Sequence, residues 1–223
     1  YAGSLVNPAL LKRCKTGAEI HDSARLDLNE VLDILIPAAK EGKRVVRLHT
    51  GDPSVYGAHR EQMDALKAAG VPFAVCPGVS SFFGAAASLG AEYTLPGVSQ
   101  TVILTRAAGR TPVPEKERLS ALAAHGASMV LFLSAGRVAE AVSELLAGGY
   151  YTNETPTAVV YKATWPDERI LRTTLGELAK EAEAAGITKT ALLLIGDFLG
   201  AAYENSKLYD PSFTTEFREG KQA

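Results

Sequence analysis

The sequence predicts an α/β protein of two domains, with a parallel sheet in the first and a mixed sheet in the second. Short β-branched runs alternate with segments of helical periodicity over most of the chain. In the first half each run ends in a glycine- or proline-bearing turn followed by a helix pattern, the mark of βαβ units. In the second half two apolar runs flank Thr164-Trp165-Pro166-Asp167, a hairpin signal that a purely parallel sheet does not carry.

Asp27 to Glu41 reads as the first helix, because Leu28, Val31, Leu32, Leu35 and Ile36 recur at three- and four-residue spacing. Pro37 inside it implies a kink, and Gly42 ends it. Arg44 to His49 reads as a β-branched strand, Val55 to Ala69 as a helix closed by Gly70, and Val71 to Cys76 as a second strand. Val79 to Leu89 is a small-residue helix closed by Gly90. Gly90 to Ser99 lacks periodicity and contains Pro96 and Gly97, so it reads as a linker, and domains of residues 1–99 and 100–223 follow. The second domain begins with a strand from Thr101 to Thr105 and a polar loop from Arg106 to Pro114. A helix from Glu115 to His125, a strand from Ser128 to Leu133 and a helix from Gly136 to Ala147 come next. Thr157 to Ala163 and Glu168 to Thr174 form the hairpin. Thr174-Leu175-Gly176-Glu177 has capping-box spacing and starts another helix, and Thr190 to Ile195 is the last strand.

Of 223 residues, 47% are hydrophobic and 22% charged, enough to bury one or two cores. The net charge of -2, a pI of about 6.1 and the lack of any Lys/Arg block argue against a nucleic-acid or anionic-membrane footprint. No apolar run reaches the roughly 18 residues of a membrane-spanning helix. Cys14 and Cys76 lie far apart without Cys-x-x-Cys spacing, which argues against a zinc site or disulfide framework and for a reduced, cytoplasmic setting. The chain opens on Tyr1-Ala2-Gly3-Ser4, with neither an initiator Met nor a signal peptide, so an upstream segment is expected.

In open parallel sheets, ligands bind beyond the carboxyl ends of the strands. Three strand-end turns are small or glycine-bearing: Thr50-Gly51-Asp52-Pro53, Pro77-Gly78-Val79-Ser80-Ser81 and Leu133-Ser134-Ala135-Gly136. Gly51 and Gly78 admit close backbone approach, and Ser80 and Ser81 set hydroxyls and N–H groups at a helix start. Neither Gly-x-x-x-x-Gly-Lys-Ser/Thr nor Gly-x-Gly-x-x-Gly occurs, which removes a Walker phosphate loop and the dinucleotide fingerprint. Asp52 at a strand tip repels phosphate and suits a ribose hydroxyl, an amine or a sulfonium, three groups that S-adenosylmethionine combines.

Each motif also has a plainer reading. A Gly-Asp-Pro turn commonly holds only itself, its Asp bonding nearby backbone. Pro-Gly-Val-Ser-Ser serves equally as a helix cap, and Leu133 as core. His49 reads as a locally bonded strand-end residue, His59 and His125 as surface helix positions, and His21 as a loop residue. No pair has metal-ligand spacing, so no metal is expected. Cys76 reads as inert packing at the end of a buried strand, and Trp165 as either a hairpin staple or a face for a flat ligand.

Taken in order, the motifs resemble the tetrapyrrole methylase family, and within it the branch that acts at C-11 of precorrin-4 or cobalt-precorrin-4. The resemblance rests on Val45-Val46-Arg47-Leu48-His49-Thr50-Gly51-Asp52-Pro53 with Tyr56-Gly57, and on Gln100-Thr101-Val102-Ile103-Leu104-Thr105-Arg106. It rests also on Gly109-Arg110-Thr111-Pro112-Val113-Pro114-Glu115 and on the tail Ser206-Lys207-Leu208-Tyr209-Asp210 with Phe213-Thr214. The most specific stretch is Val160-Tyr161-Lys162-Ala163-Thr164-Trp165-Pro166-Asp167-Glu168. Essentially the whole chain is covered. One departure is large. Tyr1-Ala2-Gly3-Ser4-Leu5-Val6 is similar to the family's second strand and following loop, so the family's first strand and Gly-x-Gly-Pro-Gly-Asp-Pro loop have no counterpart here.

The resemblance implies a two-domain homodimer that binds S-adenosylmethionine between its domains and methylates C-11 of precorrin-4 or cobalt-precorrin-4 in cobalamin (vitamin B12) biosynthesis. It implies cofactor contacts at Gly51, Asp52, Val55, Ser80, Ser81, Leu133, Ala163 and Ala191. The tetrapyrrole carries many carboxylates, for which Arg106, Arg110 and Lys162 are candidates, with Tyr56 and Trp165 to flank the macrocycle. No catalytic residue is expected, because a sulfonium methyl is already electrophilic and an enamine-like ring carbon already nucleophilic. Two alternatives stay open. One is a tetrapyrrole methylase with another target carbon, against which the stretch from Lys162 to Asp167 argues. The other is a truncated, non-catalytic binding module. A nucleotide-dependent ligase or kinase fails for want of a phosphate loop or paired magnesium carboxylates.

Overall fold

The computed structural model describes residues 1–221. The chain forms two compact units, Tyr1–Gly84 and a second that begins at Ala85. The division falls inside a helix, upstream of the junction expected at residues 99 and 100.

The first unit is made of helices and turns. Helix α1, Leu28–Lys40, begins with a capping box whose Asp27-x-x-Glu30 spacing is present in the sequence. Asp27 accepts the Glu30 N–H at 3.0 Å, and the Glu30 carboxylate accepts the Asp27 N–H at 2.8 Å. Pro37 lies within α1 without ending it. Helix α2, Arg60–Ala68, starts at Arg60 and not at Val55. Tyr56 and Ala58 take φ of 55° and 46°, a left-handed backbone that a right-handed helix cannot include. Helix α3, Ser81–Leu89, starts at Ser81 and not at Val79.

The expected parallel sheet is not found: among the described residues no strand forms in the first unit, and residues 44–49 and 71–76 make no ladder. A β-branched run prefers a pleated backbone, but a strand also needs neighbouring chain for its N–H and C=O groups. Leu48 accepts the Ala2 N–H at 3.0 Å, yet Val46 stays 73% exposed. With no buried strand to end, Cys76 is exposed and does not act as core packing; Cys14 is exposed too.

The second unit carries a mixed five-stranded sheet, as expected. Its strands are β1 (Val102–Arg106), β2 (Ser128–Phe132), β3 (Pro156–Tyr161), β4 (Arg169–Thr174) and β5 (Ala191–Ile195), in the order β1-β2-β5-β3-β4. β1 and β2 run parallel, and the other neighbours are antiparallel. Successive side chains alternate between faces. Met129, Leu131, Val159, Leu193 and Ile195 pack with Leu119 and Ala123 of α4 (Leu119–Ala123), Ala141 and Leu145 of α5 (Val138–Ala147), and Leu178 and Ala182 of α6 (Leu178–Ala184). Val130, Ala158, Val160 and Leu194, which alternate with them, are buried as well. Covering on both faces is why residues 129–132 of β2, 158–161 of β3 and all of β5 read as unbroken apolar runs. Three helix starts of this unit differ from expectation, and α5 begins at Val138 and not at Gly136. The helix expected from Glu115 splits into a 3-10 turn, Glu115–Glu117, and α4. Thr174 does not cap α6, because it stays paired with Pro156 as the last residue of β4, and α6 begins at Leu178.

Candidate functional site

In the first unit the fold brings two of the three singled-out turns into backbone contact. Gly51 takes φ of 58°, and a Cβ there would lie 3.2 Å from Ser80 Cα and 3.3 Å from Ser81 N. A Cβ on Gly78 would lie 2.1 Å from the Gly51 carbonyl oxygen, so this approach requires glycine. Asp52 straps the turns together. Its Oδ2 accepts the Gly78 N–H at 2.8 Å, and its Oδ1 accepts the Ser54 N–H at 2.9 Å and the Ser54 hydroxyl. The Ser54 hydroxyl, then the Gly78 and Ser54 N–H groups, pull the carboxyl down to about 2. Asp52 is therefore a fixed anion at neutral pH. An ionised carboxylate has about four acceptor positions. The donors from Ser54 and Gly78 leave about one of them, on the Oδ2 side, among the described residues.

Around this pair of turns, Ser80 is buried and its carbonyl accepts the Phe83 N–H at 3.0 Å, which opens α3 beside Gly51. The N–H groups that point out of a helix start give that corner positive potential. Val55 follows through its N–H to the Asp52 carbonyl at 3.3 Å, and Tyr56 is exposed on the left-handed residue that ends this turn. His49 and His59 meet edge to face, with ring centroids 6.3 Å apart. Burial, and after it the Arg47 charge, hold the His49 imidazole below its ordinary pKa, so it is neutral at neutral pH.

In the second unit a different group collects at one end of the sheet. Arg106 ends β1 opposite Phe132 at the end of β2, and Tyr161 ends β3 opposite Ala191 at the start of β5. Leu131 pairs with Leu193, and extending that antiparallel register sets Leu133 opposite Ala191. Leu133 is 67% exposed with φ of 53°, so it is not a core residue. A non-glycine residue there carries a local cost of about 1–3 kcal/mol, a strain found disproportionately at functional sites. Ser134 holds this end closed. Fully buried, it accepts the Ala107 N–H at 2.8 Å and donates to the Phe132 carbonyl at 2.7 Å, clipping the ends of β1 and β2.

The candidate cations are already engaged to different degrees. Arg106 donates to the carbonyls of Ala107, Thr111 and Pro112 and so folds the polar loop back on its own strand. Arg110 is exposed in that loop. Lys162 donates its backbone N–H to the Thr190 carbonyl at 2.8 Å, which holds the chain just before Ala163 at the start of β5. Its ammonium bonds Asp167 at 2.5 Å and lies 5.2 Å and 5.0 Å from the ring centroids of Tyr161 and Trp165. The Asp167 carboxylate raises the Lys162 pKa, which keeps it charged.

Gly51, Asp52, Val55, Ser80 and Ser81 thus share one corner of the first unit. Arg106, Leu133, Lys162, Ala163, Trp165 and Ala191 share one sheet end of the second. Ser54, Gly78, Ser134, Asp167 and Glu168 also shape these places; all but Ser54 lie in stretches that the sequence singles out, but none is named there as a contact residue. Ser54 and Asp167 lie close to a candidate in sequence and were findable; the Gly78–Asp52 and Ser134–Ala107 contacts join distant segments and were not.

Comparison with known proteins gives a consistent result. Residues 1–179 match the family described as Tetrapyrrole (Corrin/Porphyrin) Methylases. The cobalt-precorrin-4 C(11)-methyltransferase of Methanocaldococcus jannaschii is 52% identical over 220 residues, 98% of this chain and 85% of that protein. The X-ray structure of a cobalamin biosynthetic enzyme, cobalt precorrin-4 methyltransferase, superposes with a TM-score of 0.87 at 48% identity, covering 90% of this chain and 84% of that one. The uroporphyrin-III C-methyl transferase of Thermus thermophilus, solved with S-adenyl homocysteine, has a TM-score of 0.65 at 28% identity, covering 77% and 74% of the two chains.

Proposed function

The chain belongs to the tetrapyrrole methylase family, and on that premise we propose that it transfers a methyl group from S-adenosylmethionine to C-11 of precorrin-4 or cobalt-precorrin-4, a step of cobalamin biosynthesis. The observation that carries the reading is the cradle in which Gly78 has no room for a Cβ against Gly51. Such a cradle brings main-chain groups to a ligand. Its chemistry fits this cofactor: Asp52 is ionised, no cation stands in either turn, and about one acceptor position is left for a ribose hydroxyl.

Gly51, Asp52, Val55, Ser80 and Ser81 of the first unit would hold the methionine and ribose portions. Leu133 of the second unit offers an apolar side chain, and Ala163 and Ala191 offer backbone, to the adenine. When bound, the cofactor supplies a methyl group already activated by its sulfonium sulfur. The chain's task is alignment, and orientation alone can lower a barrier by roughly 7–11 kcal/mol. No side chain of this site is assigned as a base. Toward the tetrapyrrole, Lys162, Arg106 and Arg110 offer cations to carboxylates, and Trp165 and Tyr56 offer aromatic faces. An ammonium has three donors, so Lys162 can serve a substrate carboxylate while keeping Asp167. The resemblance also supports a homodimer, which sedimentation of the purified protein checks, and the two isolated cysteines support a reduced, cytoplasmic setting. Among the described residues, no helix is long and apolar enough to cross a membrane.

Calorimetry with S-adenosylhomocysteine tests the cofactor reading. The wild type binds, and Asp52→Ala lowers affinity at least about tenfold, the loss of a charge-assisted bond together with the strap between the turns. No heat and no competition with S-adenosylmethionine removes the reading. Product NMR locates the new methyl group, and a methyl on another ring carbon reassigns the target.

A further inference from the structure

The hairpin between β3 and β4 turns through two left-handed residues, Lys162 at φ 49° and Thr164 at φ 68°. A β-branched residue such as Thr164 keeps that backbone only where its surroundings impose it. Main-chain bonds from the Trp165 N–H to the Lys162 carbonyl at 2.9 Å and from the Glu168 N–H to the Trp165 carbonyl at 3.1 Å shape the turn, and one carboxylate oxygen holds Thr164 itself. Glu168 Oε2 accepts the Thr164 N–H at 2.6 Å and the Ser88 hydroxyl at 2.8 Å. The first bond closes the turn on itself, and the second ties it to α3. Farther along β4, Arg172 donates to the Leu89 carbonyl at the end of the same helix. The hairpin is thus mounted on the last turn of α3 at two points, and Glu168 is the one that also reaches the turn.

We propose that Glu168 is a positioning residue for the methyl transfer: its Oε2 holds the 162–167 turn in shape, and so sets Lys162 and Trp165 for the tetrapyrrole. The role rests on the function proposed above. It differs from a merely stabilising one, because the segment that Glu168 controls is the one presenting the substrate groups. The six residue pairs of the β3–β4 ladder and the Lys162–Asp167 ion pair do not involve Glu168, so the hairpin keeps its strands when Glu168 is changed and loses the shape of its tip.

The chain has a single tryptophan, Trp165, and its fluorescence reads the turn directly. Glu168→Ala removes both bonds. It is expected to raise acrylamide quenching of Trp165 about twofold and the tetrapyrrole KM about tenfold, with kcat changed by less than about threefold. Glu168→Gln keeps an acceptor oxygen and restores both readouts to within about threefold of wild type. Ser88→Ala removes only the tie to α3 and falls between. Should Glu168→Ala fail to fold, Ser88→Ala and Glu168→Gln carry the same two readouts. Wild-type quenching and KM in Glu168→Ala overturn the proposal, and so does altered quenching with unchanged kinetics. A wild type that transfers no methyl group overturns the function and this role together; an active wild type with an indifferent Glu168→Ala overturns this role alone.

Discussion

The Asp52 carboxylate joins Gly78 to a turn 26 residues earlier in the chain, and it does so in its ionised form. Its folded pKa of about 2 lies below the ordinary value of 3.8, so the fold binds this proton less tightly than the unfolded chain does. The stability it contributes is present above about pH 4 and is lost as pH falls from there through about 2. Asp52→Asn lacks that contribution, and the gap between the melting temperatures of wild type and variant is expected to close from about pH 5 to about pH 2.5 in differential scanning calorimetry. The sequence singles out Asp52 because it ends a β-branched run, and the plainer reading, an Asp bonding backbone two residues on, also holds through Ser54. What could not be read is the Gly78 N–H, because nothing local links the two turns. Leu133 teaches the converse: its apolar side chain is equally at home in a core, and only the left-handed backbone just past β2 turns it outward.

At the scale of elements, Ser134 shows how a strand end is made. The strands run parallel, so no tight turn joins β1 to β2, and a buried hydroxyl does the joining. Ser134→Ala leaves the Ala107 N–H without its acceptor, with an expected loss of about 1–3 kcal/mol in urea unfolding. Elements whose partners lie nearby in sequence were readable. The β3–β4 hairpin follows from its turn residues, and α1 follows from its apolar spacing. The strands expected at residues 44–49 and 71–76 needed neighbouring chain on their flanks and do not form ladders. The false cap at Thr174 has the same origin, since a residue held in a strand pair is not free to close a helix.

Across the whole molecule, the largest buried body is the sheet of the second unit with α4, α5 and α6. β5 lies between β2 and β3, although it is the last strand in sequence. Leu193, with no exposure, pairs with both neighbours, so truncation there leaves a cavity that no flexible element can fill. Leu193→Ala is expected to lower the unfolding free energy by about 2–5 kcal/mol, measured by chemical denaturation of the intact protein. By itself the sequence determined the α/β class, the mixed character of the second sheet, the turns that demand glycine, and the string of motifs that marks the family. Those are properties of residue type and short spacing, which local sterics and hydrophobic periodicity express directly. Only the tertiary structure decided the strand order, the meeting of the Gly51 and Gly78 turns, and the carboxylate that holds each of them. Partners distant in sequence are selected by the packing free energy of the folded chain, and no local pattern encodes which distant N–H a given oxygen will find.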